Sequence, residues 1–177
     1  MNYLVYQATS TNPAREAAPA PLRVDLWRPS VGQMKPAGFH GMVFDVWWLF
    51  HLTHAFANRD YAQLVIYDGD KLVHRSGIFP RYPRFPFMGS DDLQIGDTWT
   101  DPEYRGRGLA TLAIHETLAR LGKPGRAFWY IVEPANVASV RVIERAGFSR
   151  VAESVRTSRL GVRLLGAYVL TSALPSA

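Results

Sequence analysis

The chain contains no cysteine. Disulfides, cysteine-ligated zinc and thiol nucleophiles are excluded with it, and the absence fits a reducing cytoplasm. Lysine is scarce as well. Of 20 basic residues only Lys35, Lys71 and Lys123 are lysines, and the rest are arginines. No block of five or six successive basic residues occurs, and no zinc-finger spacing or RNP-like motif is present. The net charge of +5 therefore points to a small anionic ligand and not to nucleic acid. Long apolar runs are missing too. The most apolar stretch, Met42 to Ala57, is broken by Asp45, His51 and His54. It falls short of the roughly 20 residues a membrane span needs, so no membrane partner is expected. The start of the chain has no basic segment followed by an apolar run, so no secretory signal is expected. His51-x-x-His54 lacks the glutamate of a zinc-binding His-Glu-x-x-His helix, so no metal is expected either.

What is present suits one compact domain: 177 residues, 47% of them hydrophobic and 20% charged. Residues 1–21 read as an arm or an extra strand, because Thr9–Pro21 is rich in Ala, Pro, Thr and Ser. Residues 22–174 read as the folded domain. Leu22–Trp27 alternates apolar and polar residues, the mark of a half-buried strand. Gly41–Ala57 has helical spacing. Tyr61–Tyr67 and Lys71–Ile78 form a strand pair around Asp68-Gly69-Asp70, a hairpin turn signal. The proline-rich Phe79–Ser90 reads as a loop. Strand Asp92–Thr100, helix Gly108–Leu121, strand Ala127–Val132, helix Asn136–Ala146 and strands Phe148–Arg156 and Leu160–Leu170 follow. The order predicts an α/β fold with a mixed sheet and helices on its faces.

The most informative stretch is Thr100-Asp-Pro-Glu-Tyr-Arg-Gly-Arg-Gly-Leu-Ala110. A strand ends at a proline, and a glycine-rich turn feeds a helix. A helix N-terminus offers unpaired amide N–H groups and about half a positive charge. Gly106 and Gly108 have no Cβ, so a pyrophosphate can approach their amides, and Arg105 and Arg107 add charge-assisted hydrogen bonds. No Gly-Lys-Ser/Thr follows, so this is not a P-loop. The third glycine and ribose-binding acid of a dinucleotide fingerprint are missing too.

Arg105-x-x-Gly108-x-Ala110 resembles the Arg/Gln-x-x-Gly-x-Gly/Ala signature of the GNAT (GCN5-related N-acetyltransferase) superfamily. Asn136-x-x-Ser139 followed by Ala146-Gly147-Phe148 resembles that family's last-helix segment. The two motifs together cover about Asp92–Phe148. The resemblance implies a largely antiparallel sheet of six or seven strands flanked by helices. It also implies acetyl-coenzyme A as co-substrate, its pyrophosphate held by Arg105, Gly106, Arg107, Gly108, Leu109 and Ala110. Backbone amides at Trp99 and Thr100 would polarise the thioester carbonyl, and Asn136 would shape the strand–helix turn or touch the pantetheine arm. The family's frequent base position is near Gln94, which cannot act as one, so Asp97 is the candidate base; its alternative role is an acceptor that holds a loop. The position of the family's usual tyrosine acid is Ile143, which leaves Ser139, Tyr130 or solvent as proton donor. The acceptor site in such folds is built from the first helices and the loop before the fourth strand. Here these offer Trp47, Arg81, Tyr82 and Arg84. Arginine suits a carboxylate or phosphate and aromatic faces suit rings, so a small amine with an anionic part is expected as acceptor. The alternative for these aromatics is core closure or a homodimer contact. Protein N-terminal or lysine acetylation, and non-catalytic sensing of acyl-coenzyme A, are the rival functions.

Overall fold

The computed structural model describes residues 2–9, 19–158 and 166–173. Among the described residues eight strands form one sheet: β1 (Asn2–Thr9), β2 (Leu22–Trp27), β3 (Ala62–Asp68), β4 (Lys71–Pro80), β5 (Leu93–Thr100), β6 (Ala127–Val132), β7 (Ser149–Arg156) and β8 (Tyr168–Ala173). Helix α1 spans Val43–Leu52, α2 Leu109–Leu121 and α3 Val137–Arg145. The spatial order is β2-β3-β4-β5-β6-β1-β7-β8. Every neighbouring pair is antiparallel except β5 and β6, which are parallel and joined through α2. The mixed α/β class expected from the sequence is present, with eight strands where six or seven were expected.

Residues 2–9 form a strand inside the sheet. β1 lies between β6 and β7, and its residues pair on both sides. That position explains its composition: Val5 and Tyr6 are both buried, because each face of the strand is covered. The loose arm expected at Thr9–Pro21 falls largely outside the described residues, as does most of the strand expected at Leu160–Leu170. β4 extends through Phe79 and Pro80, two residues that composition assigns to the loop. No described helix is long and apolar enough to cross a membrane.

Two cores sandwich the sheet. On one face Leu109, Leu112, Ala113 and Leu118 of α2 and Ile143 of α3 pack on Leu64, Ile66, Ile78, Ile95 and Phe128. On the other, Phe56, Tyr61, Phe79, Tyr82 and Phe85 form an aromatic core with Trp47 and Phe50 of α1 against it. A strand covered on both faces carries no polar alternation, and β3 is buried from Ala62 to Tyr67 accordingly.

Polar staples fix the start of β5 and β6. The buried Asp92 carboxylate accepts hydrogen bonds from Gly89 N–H (2.8 Å), Ala127 N–H (3.0 Å) and Trp129 Nε1–H (2.9 Å). The fully buried Arg126 guanidinium donates to Asp60 at 2.6 Å, Asp91 at 3.2 Å and the Leu121 carbonyl at 2.8 Å. These contacts pin the two parallel strands together at one end only.

Candidate active site

At their other end the parallel strands part. Their ladder runs from Leu93–Phe128 to Ile95–Tyr130 and stops, yet β5 continues to Thr100 and β6 to Val132. Burial along β5 follows the opening. Leu93, Gln94 and Ile95 are buried, whereas Asp97, Thr98 and Trp99 are exposed in the middle of an eight-stranded sheet.

A bulge on the β4 side sharpens the opening. The register slips between Arg75–Trp99 and Gly77–Gly96, so Asp97 and Thr98 together oppose Ser76. Asp97 takes φ of 48°, a left-handed conformation that costs a non-glycine residue about 1–3 kcal/mol. Arg75 holds it there: its guanidinium pairs with the Asp97 carboxylate and donates to the Asp97 carbonyl at 3.2 Å. The Arg75 guanidinium also lies 5.0 Å from the Phe44 ring and 5.6 Å from that of Phe39.

On the α2 face, a cleft of about 490 Å³ lies along the parted strands. Its wall includes Trp99, Thr100, Arg105, Gly106, Gly108, Leu109, Ala110, Asn136 and Ser139. Gly106 and Gly108 have φ of 74° and 79°, and nothing lies within 4 Å of where a Cβ would stand on either. No side chain caps the N-terminus of α2, and its first helical hydrogen bond runs from Leu112 N–H to the Gly108 carbonyl. The amides of the first turn are thus left for a ligand. Open space, positive φ and uncapped amides at one turn fit a pyrophosphate. Arg105 stays on the cleft and donates to the Thr100 carbonyl at 3.2 Å. Arg107 lies off the cleft wall, with its guanidinium 4.7 Å from the Tyr104 ring. Asn136 caps α3, accepting from Ser139 N–H at 3.1 Å. Ile143 is fully buried, and its hydrocarbon side chain has no proton to give.

On the opposite face a cavity of about 290 Å³ is lined by Trp47, Tyr82, Arg84, Gln94, Asp97 and Ile131, among others. The Arg84 guanidinium lies 5.9 Å from the Trp47 ring and 5.8 Å from that of Tyr82. Burial pushes the Tyr82 hydroxyl up to about 12, so it stays a neutral donor at pH 7. Arg81 does not join this group. It lines a separate cavity with His54 and Phe56, and its carbonyl accepts from Ala57 N–H at 2.8 Å. The cleft and the cavity meet at the parting of the strands. Thr98 and Tyr130 line the cleft, while their chain neighbours Asp97 and Ile131 line the cavity.

The sequence reading missed Thr98 and Arg145 on the cleft wall, and Arg75 behind Asp97. Neither Thr98 nor Arg75 carries a motif, because a bulge brings them into place. Arg145 ends α3 directly before the Ala146-Gly147-Phe148 segment and could have been read from its last-turn position.

A family model described as the acetyltransferase (GNAT) family matches residues 28–148, about two thirds of the chain. The chain belongs to the acetyltransferase (GNAT) family. Solved GNAT structures share its fold. A GCN5-related N-acetyltransferase from Sphaerobacter thermophilus aligns with a TM-score of 0.58 at 17% identity, over 86% of this chain and 49% of that one. A GNAT acetyltransferase from Colwellia psychrerythraea aligns at 0.54 and 17% identity, over 86% and 53%. A tandem GNAT protein from the clavulanic acid biosynthesis pathway aligns at 0.55 and 12% identity, over 84% and 50%. The chain thus spans about half the length of these structures. No curated protein matches it in sequence. Within this GNAT chain, the family match covers α1, the parted strands and all but Tyr168 of the residues lining the cleft and the cavity beside Asp97.

Proposed function

We propose that this GNAT protein transfers an acetyl group from acetyl-coenzyme A to the amine of a small acceptor that also carries a carboxylate or phosphate. One observation carries the reading. The sheet is open between β5 and β6, with a phosphate-ready turn on one face and an arginine-bearing aromatic cavity on the other. Two substrates entering from opposite faces would meet at the opening, and such positioning supplies much of the catalysis in a bimolecular reaction.

The amides of Gly106–Ala110 and the Arg105 guanidinium would hold the pyrophosphate, and Asn136 and Ser139 would flank the pantetheine arm. Bound acetyl-coenzyme A supplies a thioester whose aminolysis forms a C–N bond and breaks a C–S bond. The bulge at Asp97–Thr98 takes backbone amides out of the β4–β5 ladder, and with Trp99 and Thr100 these are the donors for the thioester carbonyl. Asp97 faces the acceptor cavity. Its carboxylate, paired with Arg75, holds and orients the incoming amine. Ser139 and Tyr130, the hydroxyls on the cleft wall, are placed to protonate the departing thiolate. Arg84, flanked by Trp47 and Tyr82, meets the acceptor's anionic group.

A thiol-release screen tests this. Acetyl-coenzyme A is offered with amino acids, phosphorylated amino sugars, neutral amines and peptides. Release with small anionic amines, and little with neutral ones, is the expected result. Release with peptides alone would favour a protein acceptor. Tight binding of acetyl-coenzyme A with no release from any acceptor would establish a sensor instead.

A further inference from the structure

Behind the exposed half of β5 runs an unbroken line of exchangeable protons. Thr98 Oγ1 lies 3.2 Å from Ser76 Oγ, Ser76 Oγ lies 3.1 Å from His74 Nε2, and His74 Nδ1 lies 2.8 Å from Thr100 Oγ1. Hydroxyls and a neutral imidazole each donate and accept, so the line can be polarised in either sense. Both ends, Thr98 and Thr100, line the cleft. The two central members are sealed from solvent, His74 at 0% exposure and Ser76 at 1%. The line therefore leaves the cleft at the parting of the strands, passes under β5, and returns two residues later, about 7 Å along the strand.

Packing alone does not call for these residues. His74 and Ser76 pair across the ladder with Ile66 and Leu64, both members of the apolar core under α2. Apolar side chains would fill the same space without the cost of desolvating three polar groups. Burial, together with the neighbouring Arg75 charge, lowers the His74 imidazole to about 4. At pH 7 one ring nitrogen thus donates while the other accepts.

Acyl transfer creates a need for such a line. The attacking amine must lose a proton, and a pantetheine arm lying along β5 would shut water away from Thr98 at the parting of the strands. The nearest carboxylate, Asp97, is held by Arg75. We propose that Thr98, Ser76, His74 and Thr100 form a proton path that carries the amine proton from the bulge at Thr98 to Thr100, beside the Arg105 turn, with His74 as its central relay. The inference rests on the acyl-transfer reading above. As the C–N bond forms and the C–S bond breaks, the amine proton passes to Thr98 Oγ1, and the Thr98 proton to Ser76. The Ser76 proton passes to His74 Nε2, and the proton on Nδ1 to Thr100. Thr100 releases its own proton to water. Each member gains one proton and loses one. The ring stays neutral and changes tautomer, and hydroxyl rotation and exchange with solvent restore the line between turnovers. His74 touches neither substrate and acts only through the two threonines.

The test uses Ser76→Ala, which cuts the line at its middle, and His74→Gln, which keeps hydrogen bonding without a tautomeric ring. With the best acceptor from the thiol-release screen, both variants should lose about 100-fold or more in kcat, the scale of acid–base contributions, while KM for acetyl-coenzyme A stays within about twofold. The curved proton inventory expected of wild-type kcat should become linear in both. A second readout needs no turnover: in nitrogen-15 spectra of histidine-labelled protein, the His74 ring signals should shift when coenzyme A is added. Folded Ser76→Ala and His74→Gln with wild-type kcat, or His74 signals that ignore coenzyme A, would overturn the relay alone. If His74→Gln fails to fold, Ser76→Ala and the surface change Thr98→Val decide the matter. Wild-type protein that releases no thiol overturns the acyl-transfer reading, and the relay with it.

Discussion

Burying a neutral imidazole in the sheet makes stability depend on mildly acidic pH. His74 has no solvent exposure, and burial lowers its pKa from 6.5 to about 4, with the Arg75 charge adding to the shift. The unfolded chain therefore binds a proton below pH 6.5 that the folded chain refuses until about pH 4. Stability from this group is fully present above pH 6.5, falls as pH drops through that window, and is gone below it. The displacement from 6.5 to about 4 corresponds to about 3 kcal/mol. His51 is also lowered, first by burial and then by Arg59, and it acts in the same direction. The comparison must therefore be between wild type and His74→Gln, with His51 present in both. Urea unfolding at half-unit steps from pH 4 to pH 8 should show a steep loss of stability toward acid in wild type and a much shallower one in His74→Gln. Equal slopes in the two proteins would refute the claim that His74 is held neutral by burial.

Three further outcomes follow from the geometry. Arg84→Ala should raise the acceptor KM about 10-fold or more, since a charged hydrogen bond contributes about 1.5–3 kcal/mol, while Arg81→Ala should leave it unchanged; steady-state kinetics on both variants separate the two arginines. Asp92→Ala strands two buried donors, Ala127 N–H and Trp129 Nε1–H, and frees the Gly89 N–H; it should destabilise the fold by about 2 kcal/mol or more, read as a lower urea midpoint at constant slope. Arg75→Met removes the group that holds Asp97 in its left-handed conformation and should lower kcat more than it lowers thermal stability, because the bulge faces solvent and the reaction centre.

Much of the frame is legible in the residues. Asp68-Gly69-Asp70 announces the β3–β4 hairpin, and Gly69 takes the positive φ that such turns need. The periodicity of Leu109–Leu121 marks α2, and Gly106 and Gly108 mark its phosphate-ready entry. Long-range pairing was not legible. Nothing in Asn2–Thr9 says that it inserts between β6 and β7, because strand partners more than 100 residues apart leave no local pattern. The bulge was also invisible: aspartate is among the few non-glycine residues enriched at positive φ, but nothing local singles out Asp97 from the other aspartates. In the proline-rich segment no strand or helix period fixes direction. Composition alone therefore groups Arg81 with Arg84, and the fold sends them to different cavities. The aromatics there serve two ends at once: Phe79, Tyr82 and Phe85 close a core, and Tyr82 also faces the cavity beside Asp97.

The central claim is that the turn at Gly106–Ala110 holds the pyrophosphate of acetyl-coenzyme A. Titration calorimetry with acetyl-coenzyme A, on wild type and on Gly108→Val of verified fold, tests it most directly. The account predicts binding by wild type and an affinity lower by about 10-fold or more in the variant, because a side chain at that position occupies the space facing the amides. Equal affinity in the two folded proteins would contradict it.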